Sequence, residues 1–467
     1  MSLRIPFDVL VVIQSVADQA TIGRMMQCCR YLKATGEWFI LRDVQLSSNK
    51  VVEGFVRYMI SSHVSRLPLL HGLRLEMTPP PTVPRDSLRE LFIKLRTGSK
   101  LVRLSIHRPE ELLQRHAGLS SAIAALTSLQ HLELWNAGPI TVGMLHAVRS
   151  KLVVATLHMG SGGANDLPDV TQLFRGSQNT LEELTVTRPG PTTSHPLGER
   201  NATTFALCYP RMRTLTLIEP TYSLYTADYI RAFPNLRSLA ILDPNEYPLR
   251  DPNRPPSNTD PYKTWPSLRY VEGSVRVLYG LALPCHIPTI DVHDFDHVPQ
   301  VDLLRVVLAE TRPVHLKLSV LSAKRCKAVY VTALEQMELP HLRALSLTVV
   351  LMCEDTNLDL KLWLKGILRI PKTLMLSAFE LHIDCSQLYS ERRCLHSYLL
   401  DCPAERYPRP SLLPVERQLR AFSMRSVVKR VRERAPQVER VVARVSGHDG
   451  GTRSWAALGA CVPWADI

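Results

Sequence analysis

No apolar run in this chain approaches the roughly 18 residues that a membrane-spanning helix needs. The longest mostly apolar stretch, residues 345–352, is only strand-length. The start, Met1-Ser2-Leu3-Arg4-Ile5-Pro6, lacks the long apolar segment of a secretory leader. Among ten cysteines there is no CxxC pair, and Cys28 and Cys29 are adjacent, too close for an ordinary bridge. Reduced thiols and a cytoplasmic or nuclear location are the expectation. Signatures of catalysis and phosphate binding are missing as well: no GxGxxG, no GK[ST], no GxSxG elbow and no HExxH pair. The glycine-rich strings at 160–163 and 450–452 read as turns. No enzymatic activity, no cofactor, no metal and no membrane contact are expected.

What is present is a folded composition, 45% hydrophobic and 21% charged over 467 residues. That length exceeds one ordinary globular domain and suits a repeat array with an extra module. The net charge of +13 allows attraction to acidic partners. Most Arg and Lys are scattered through the chain, however, which fits solvated surface charge.

The phrase Pro-x-Leu-Arg-x-Leu-x-Leu, with close relatives, recurs at about thirty residues, the range of known repeat units. Clean copies are Pro210 to Leu217, Pro234 to Ile241 and Pro340 to Leu347. Within each, two apolar residues alternate (Leu215 and Leu217, Leu239 and Ile241, Leu345 and Leu347) and share one face of a short strand. The pattern predicts further strands near Leu73-Leu75, Leu104-Ile106, Leu132-Leu134, Ala155-Leu157 and Leu184-Val186. Others are predicted near Val271, Ile290-Val292, Leu316-Leu318 and Leu381-Ile383, with a last one over 438–445. The copies near Ala155, Val271, Ile290 and Val445 are degenerate. Between strands, Leu88, Leu91, Phe92 and Leu95 make a helical stripe, as do Leu304, Val307 and Leu308, and Leu360, Trp363, Leu364 and Ile367. A β-α unit cannot bury both its faces alone, so it must stack on copies of itself. The fold expected is an α/β solenoid, a parallel sheet with outer helices, with a long loop inserted over 244–261.

The first 46 residues do not follow the repeat. Residues 5–13 predict a helix with Pro6 at its first position and a broad apolar face of Val9, Leu10, Val12, Ile13 and Val16. Asp18 or Thr21 caps a second helix, in which Ile22, Met25, Met26 and Cys29 keep helical spacing. A third starts at Arg30 and stops at Gly36. Three short helices bury little core, so a partner or docked neighbour is expected to complete them.

The strings Ile5-Pro6-x-Asp8-Val9-Leu10, Asp18-x-x-Thr21-Ile22, Cys29-Arg30-x-Leu32-Lys33 and Trp38-Phe39-Ile40-Leu41-Arg42, in this order ahead of the repeats, resemble an F-box. The whole chain resembles F-box proteins with degenerate leucine-rich repeats of the fungal type. That resemblance implies a non-enzymatic, substrate-recruiting subunit of a Skp–cullin–F-box ubiquitin ligase. It implies a Skp-family adaptor on the N-terminal module and a protein target on the repeats. Carried over by position, Ile5, Pro6, Leu10, Ile13, Ile22, Cys29, Arg30 and Leu32 would form the adaptor-facing and core positions. The family more often has Leu-Pro than Ile-Pro, and a leucine pair where Met25-Met26 stands. The repeats also lack a regular Asn or Cys ladder, which sets them apart from regular horseshoes. The organisation expected is an F-box-like module over 1–46, an irregular leucine-rich-repeat solenoid over 47–445 and a partly disordered tail over 446–467. The alternative is a repeat scaffold without a ligase link, its N-terminus only a solenoid cap.

Three further groups draw the eye. Asp291, His293, Asp294, Asp296 and His297 are spaced like metal ligands, but no complete set is visible, and an exposed turn after a repeat strand accounts for them. His382 and Cys385 lack a second pair and fit a repeat strand. The stretch 417–434 reads as the last, basic repeat helix, with Leu419, Phe422, Val427, Val428 and Val431 inside. Arg425, Lys429, Arg430 and Arg432 on it are candidate contacts for an acidic or phosphorylated partner. The run has no interleaved aromatics, which argues against binding single-stranded nucleic acid.

Overall fold

A computed structural model describes residues 6–61, 64–76, 85–98, 100–160, 170–189, 207–220, 226–242, 264–294, 301–388, 413–421, 423–447 and 453–457. Ile5, Phe422, Phe295, Asp296, His297, the 244–261 insertion and most of both glycine-rich strings lie outside the described residues. The chain forms two compact units, residues 1–236 and 237–467.

In the first unit, helices α1 (Phe7–Val16), α2 (Gln19–Met26) and α3 (Arg30–Arg42) lead directly into strand β1 (Asp43–Leu46). Helix α4 (Asn49–Ser61) follows, then β2 (Gly72–Leu75), α5 (Arg85–Gly98), β3 (Arg103–His107), β4 (His131–Ala137), β5 (Val154–Met159), β6 (Glu183–Thr187) and β7 (Thr214–Ile218). Each strand pairs in parallel with the next in sequence. In the second unit the order is β8 (Ser238–Leu242), β9 (Tyr270–Ser274), β10 (Thr289–Asp294), β11 (His315–Leu321), β12 (Ala344–Val350), β13 (Ala378–Asp384), β14 (Arg440–Ser446) and β15 (Arg453–Ala457). Pairing is again sequential and parallel through β14. Strand β15, within the stretch expected to be a tail, turns back and pairs antiparallel with β14.

Each strand predicted by the repeat is present, including the degenerate copies. Parallel register explains why these copies still fold. It sets Leu104, Leu132, Ala155, Leu184 and Leu215 side by side, so one short side chain in the row is carried by its neighbours. All five are buried. Fully burying a leucine contributes about 1.5–3 kcal/mol. The residue ahead of each strand tightens the stack. Gln130 N–H donates to Val102 O, Val153 N–H to Gln130 O, Glu182 N–H to Val153 O and Arg213 N–H to Glu182 O, each at 2.8 Å. The same contact links Val314, Arg343, Ser377 and Glu439 in the second unit.

Aromatic residues before a proline fill the corner where the chain enters a strand. Tyr209 and Phe233 are buried with ring centroids 5.4 Å apart, and Tyr209 Oη donates to Thr171 O at 2.8 Å. Trp265, ahead of Pro266, is buried in the second unit. The predicted helical stripes are also internal: Leu88, Leu91, Phe92 and Leu95 on α5, Leu304, Val307 and Leu308 on Val301–Thr311, and Leu360, Trp363, Leu364 and Ile367 on Leu360–Ile367.

Four local expectations are corrected. Pro6 is the cap residue ahead of α1, not its first helical residue. Gly36 does not stop α3, which runs on to Arg42. It serves close packing instead: a Cβ there would collide with Met26 Cγ and lie 3.1 Å from Gln14 Nε2. Residues 43–46, read as part of the helical module, are a sheet strand. The basic stretch forms two helices, Pro414–Ala421 and Met424–Arg434, because Ser423 is extended at the start of the second.

Candidate functional site

Helix α1 is built inside out. Its one buried residue is Gln14. The Gln14 amide donates to Leu32 O at 3.0 Å and its carbonyl accepts from Thr35 Oγ1 at 2.6 Å, anchoring α1 to α3. Burial of this amide is tolerable because both its ends are bonded. The valine-rich face points away from the protein: Val12 is 63% exposed and Val16 82%, with Phe7, Val9 and Ile13 also exposed. Phe7 meets Tyr31 of α3 with centroids 5.0 Å apart, and Tyr31 too is exposed. Asp18 caps α2, accepting from Thr21 N–H at 2.7 Å, which holds its carboxyl below the usual range.

Of the residues assigned by resemblance, Pro6, Ile13, Cys29 and Arg30 are exposed, Leu10 is half-buried, and Ile22 and Leu32 are buried. The structure therefore divides them into a surface group and a core group. Beside them, α2, α3, β1 and α4 enclose a cleft of about 450 Å³ lined by Met26, Ile40, Val44, Val51, Phe55 and Tyr58.

The strand face turned away from the helices carries the half-buried polar positions. In the first unit, register brings His107, Trp135 and His158 into one row. Trp135 stacks on His158 at 3.7 Å between centroids, and its Nε1 donates to Glu133 at 2.8 Å. Burial pulls the His158 pKa down.

In the second unit, Tyr270, Glu272, Asp291, His293 and Lys317 gather on β9, β10 and β11. This corrects the reading of 291–294 as an exposed turn: Asp291 to Asp294 lie within β10, and alternation puts Asp291 and His293 on the same face. Tyr270 Oη reaches Glu272 Oε2 at 2.8 Å and Asp291 Oδ2 at 3.0 Å. His293 Nε2 faces the other two carboxylate oxygens, Glu272 Oε1 at 2.9 Å and Asp291 Oδ1 at 3.7 Å. Lys317 Nζ lies 3.5 Å from Asp291 Oδ2. The hydrogen bond that His293 donates to Glu272 pushes the His293 pKa up, and the same bond pulls Glu272 down. Burial, then the Asp291 charge, pushes the Tyr270 phenol up, so it stays a donor. Glu272, Asp291 and His293 have the donor types and closeness of a metal-ligand set. A cation would have to displace the proton that His293 shares with Glu272, and Lys317 already offers Asp291 a positive charge.

His382 and Cys385 do not converge. His382 meets Ser446 Oγ at 2.7 Å on the polar face, whereas Cys385 is buried, with burial pushing its thiol pKa up to about 12. Cys326 is buried likewise and pushed up to about 12. Neither thiol ionises readily.

On Met424–Arg434, the residues Met424, Val427, Val428 and Val431 face the core, and Arg425, Lys429, Arg430 and Arg432 are all exposed. Lys429 pairs with Glu433 at 3.8 Å. The four predicted contacts thus share the outer surface of one helix.

No protein-family model and no curated protein matches this chain. The sites are defined by their own geometry. They offer three surfaces: an uncovered apolar helix, a polar strand face and a basic outer face. Among the described residues, no helix is long and apolar enough to cross a membrane. The sequence reading missed Gln14, Tyr31, Tyr270, Glu272 and Lys317. Buried Gln14 was not singled out by its position, since Ser15 is also polar between Ile13 and Val16 on α1. Glu272 and Lys317 become neighbours of Asp291 only once strand register is known.

Proposed function

We propose that this protein is a non-enzymatic recruiting subunit of a Skp–cullin–F-box type ubiquitin ligase. Its N-terminal helices would dock a Skp-family adaptor and its leucine-rich-repeat-like units would hold a protein target. The observation that carries the reading is α1, which buries a glutamine and turns Val9, Val12, Ile13 and Val16 to the surface. A helix whose Val9, Val12, Ile13 and Val16 are left exposed among the described residues has the pattern of an interface element. The F-box-like residues Pro6, Ile13, Cys29 and Arg30 are exposed on the same group of helices. Recruitment needs no catalytic residue: holding a target near a charged ubiquitin carrier raises its effective concentration. A cytoplasmic or nuclear site of action accords with this role.

A second reading is favoured by a different observation. Helix α3 runs without a break into β1, and β1 pairs with β2, as a solenoid cap would. Co-expression of the full chain with a Skp-family adaptor separates the two. Val9→Asp with Val12→Asp changes exposed residues only, so the fold is expected to persist by circular dichroism. A stoichiometric complex with the wild type, lost in this variant, is the expected result. If the folded wild type forms no complex, the N-terminal helices are a cap.

A further inference from the structure

The outer helices of the last repeats form a basic field wider than the 417–434 stretch alone. The helix Leu360–Ile367 and the short helix Ile370–Thr373 expose Lys361, Lys365, Arg369 and Lys372. The helices Pro414–Ala421 and Met424–Arg434 expose Arg417, Arg420, Lys429, Arg430 and Arg434. Hydrogen bonds place the two groups side by side along their length. Gln418 Oε1 accepts from Leu360 N–H at 2.9 Å, Arg434 Nη1 donates to Lys365 O at 3.4 Å, and Gln437 Nε2 donates to Pro371 O at 3.1 Å. Among the described residues of these helices the carboxylates are far fewer than the cations. Asp359 is spent capping Leu362 N–H, Glu433 pairs with Lys429, and Glu416 is buried and accepts from Leu413 N–H.

Two large apolar side chains stand among these cations. Leu362 is 56% exposed between Lys361 and Lys365, and Met375 is 63% exposed three residues after Lys372. Duplex nucleic acid would use the cations and leave both apolar groups facing phosphate and water. The helices show no exposed aromatic residue on which an unpaired base could stack. A polypeptide carrying carboxylates with apolar side chains between them satisfies both kinds of group.

We infer that the outer face formed by Leu360–Ile367, Ile370–Thr373, Pro414–Ala421 and Met424–Arg434 is a docking surface for an acidic protein segment with interspersed leucine-type residues. Such a segment would be steered by charge and held by burial of its apolar groups. The inference stands apart from the adaptor reading, because it uses no residue of the N-terminal helices.

The test is fluorescence anisotropy on the full chain. The probe is a labelled Glu/Asp peptide with leucine at every fourth position. Comparison probes are the same peptide with serine for leucine, and a short DNA duplex. Saturable binding of the leucine peptide is expected, weakening as salt screens the charges. Lys365→Glu with Arg430→Glu is expected to weaken it on the order of tenfold or more. Leu362→Ser should weaken the leucine peptide and leave the serine peptide unchanged. Arg305→Glu, on the exposed side of Val301–Thr311, is the control and should change nothing. Lack of saturable binding, or equal binding by the charge-reversed variant, overturns the inference. Tighter binding of the duplex than of the leucine peptide overturns it too and makes this a nucleic-acid face.

Discussion

Single residues show how position sets chemistry here. His315 opens β11 and is only 7% exposed, with Nε2 at 3.1 Å from Ser346 Oγ. Burial, then the charges of Lys317 and Arg440, holds its pKa down to about 4. In the unfolded chain a histidine takes its proton near pH 6.5 (roughly). The folded state therefore refuses a proton that the unfolded state accepts. The contribution of His315 is present above the unfolded value and is lost as pH falls from about 6.5 to about 4, by about 3 kcal/mol in all. His315→Gln should reduce the fall in melting temperature across that range, and an unchanged fall would remove His315 from the account. His293 works in the opposite sense. Its pKa is raised through Glu272, so its contribution is present at lower pH and lost as pH rises through the folded value. Gly36 is a second residue where context reverses a rule. Inside a helix, Gly→Ala ordinarily stabilises by about 0.5–1 kcal/mol. Here the new methyl would run into Met26 and Gln14. Gly36→Ala should instead destabilise the first unit by about 1 kcal/mol or more, measurable by urea unfolding, as overpacked sites do.

Secondary-structure elements differ in how openly the sequence declares them. Strands were legible because two alternating apolar residues after a Pro-x-Leu turn leave little choice of face or register. This held even for Ala155-Leu157 and Val271, where the row of neighbours supplies what the copy lacks. Strand β1 was missed: Leu41-Arg42-Asp43-Val44-Gln45-Leu46 has the Leu-Arg turn and the alternation and lacks only the proline, but Leu41 and Arg42 also end helix α3, which masks the phrase. The end of α3 was misplaced because glycine signals both a helix stop and close helix contact, and only the position of Met26 decides between them. The break before Met424 was hidden by apolar spacing that runs through Ser423 almost in phase. Candidate sites were less legible than elements. Val9, Val12, Ile13 and Val16 could be read as one apolar face, yet whether that face is covered depends on where Gln14 anchors the helix. The basic field needed more, since Lys365 and Arg434 are far apart in sequence and meet only through the stacking of two repeats.

At the scale of the molecule, the units are built from neighbour-to-neighbour contacts, so damage should stay local. Asp355 tests this. Its buried carboxylate accepts from Ser322 Oγ at 3.1 Å, Ala323 N–H at 3.0 Å, Lys324 N–H at 3.3 Å and Met352 N–H at 3.0 Å. It thereby ties the segment after β11 to the segment after β12. Trp363 Nε1 adds a bond to Ala323 O at 2.8 Å, bringing in the helix Leu360–Ile367. Asp355→Ala leaves several buried donors without an acceptor, which costs about 2–4 kcal/mol. In a globular domain with one core, such a loss lowers protection everywhere, because opening is global. In a stack of repeats, stability is a sum of unit and neighbour terms, and a weakened repeat opens first. Hydrogen exchange followed peptide by peptide should therefore show faster exchange in β11, β12 and the helix Leu360–Ile367. Strands β2 to β5 should exchange as in the wild type, since none of the four donors belongs to the first unit. Equal acceleration in all strands would mean that the chain unfolds as one cooperative body. The stack would then have to couple its repeats more strongly than these contacts provide.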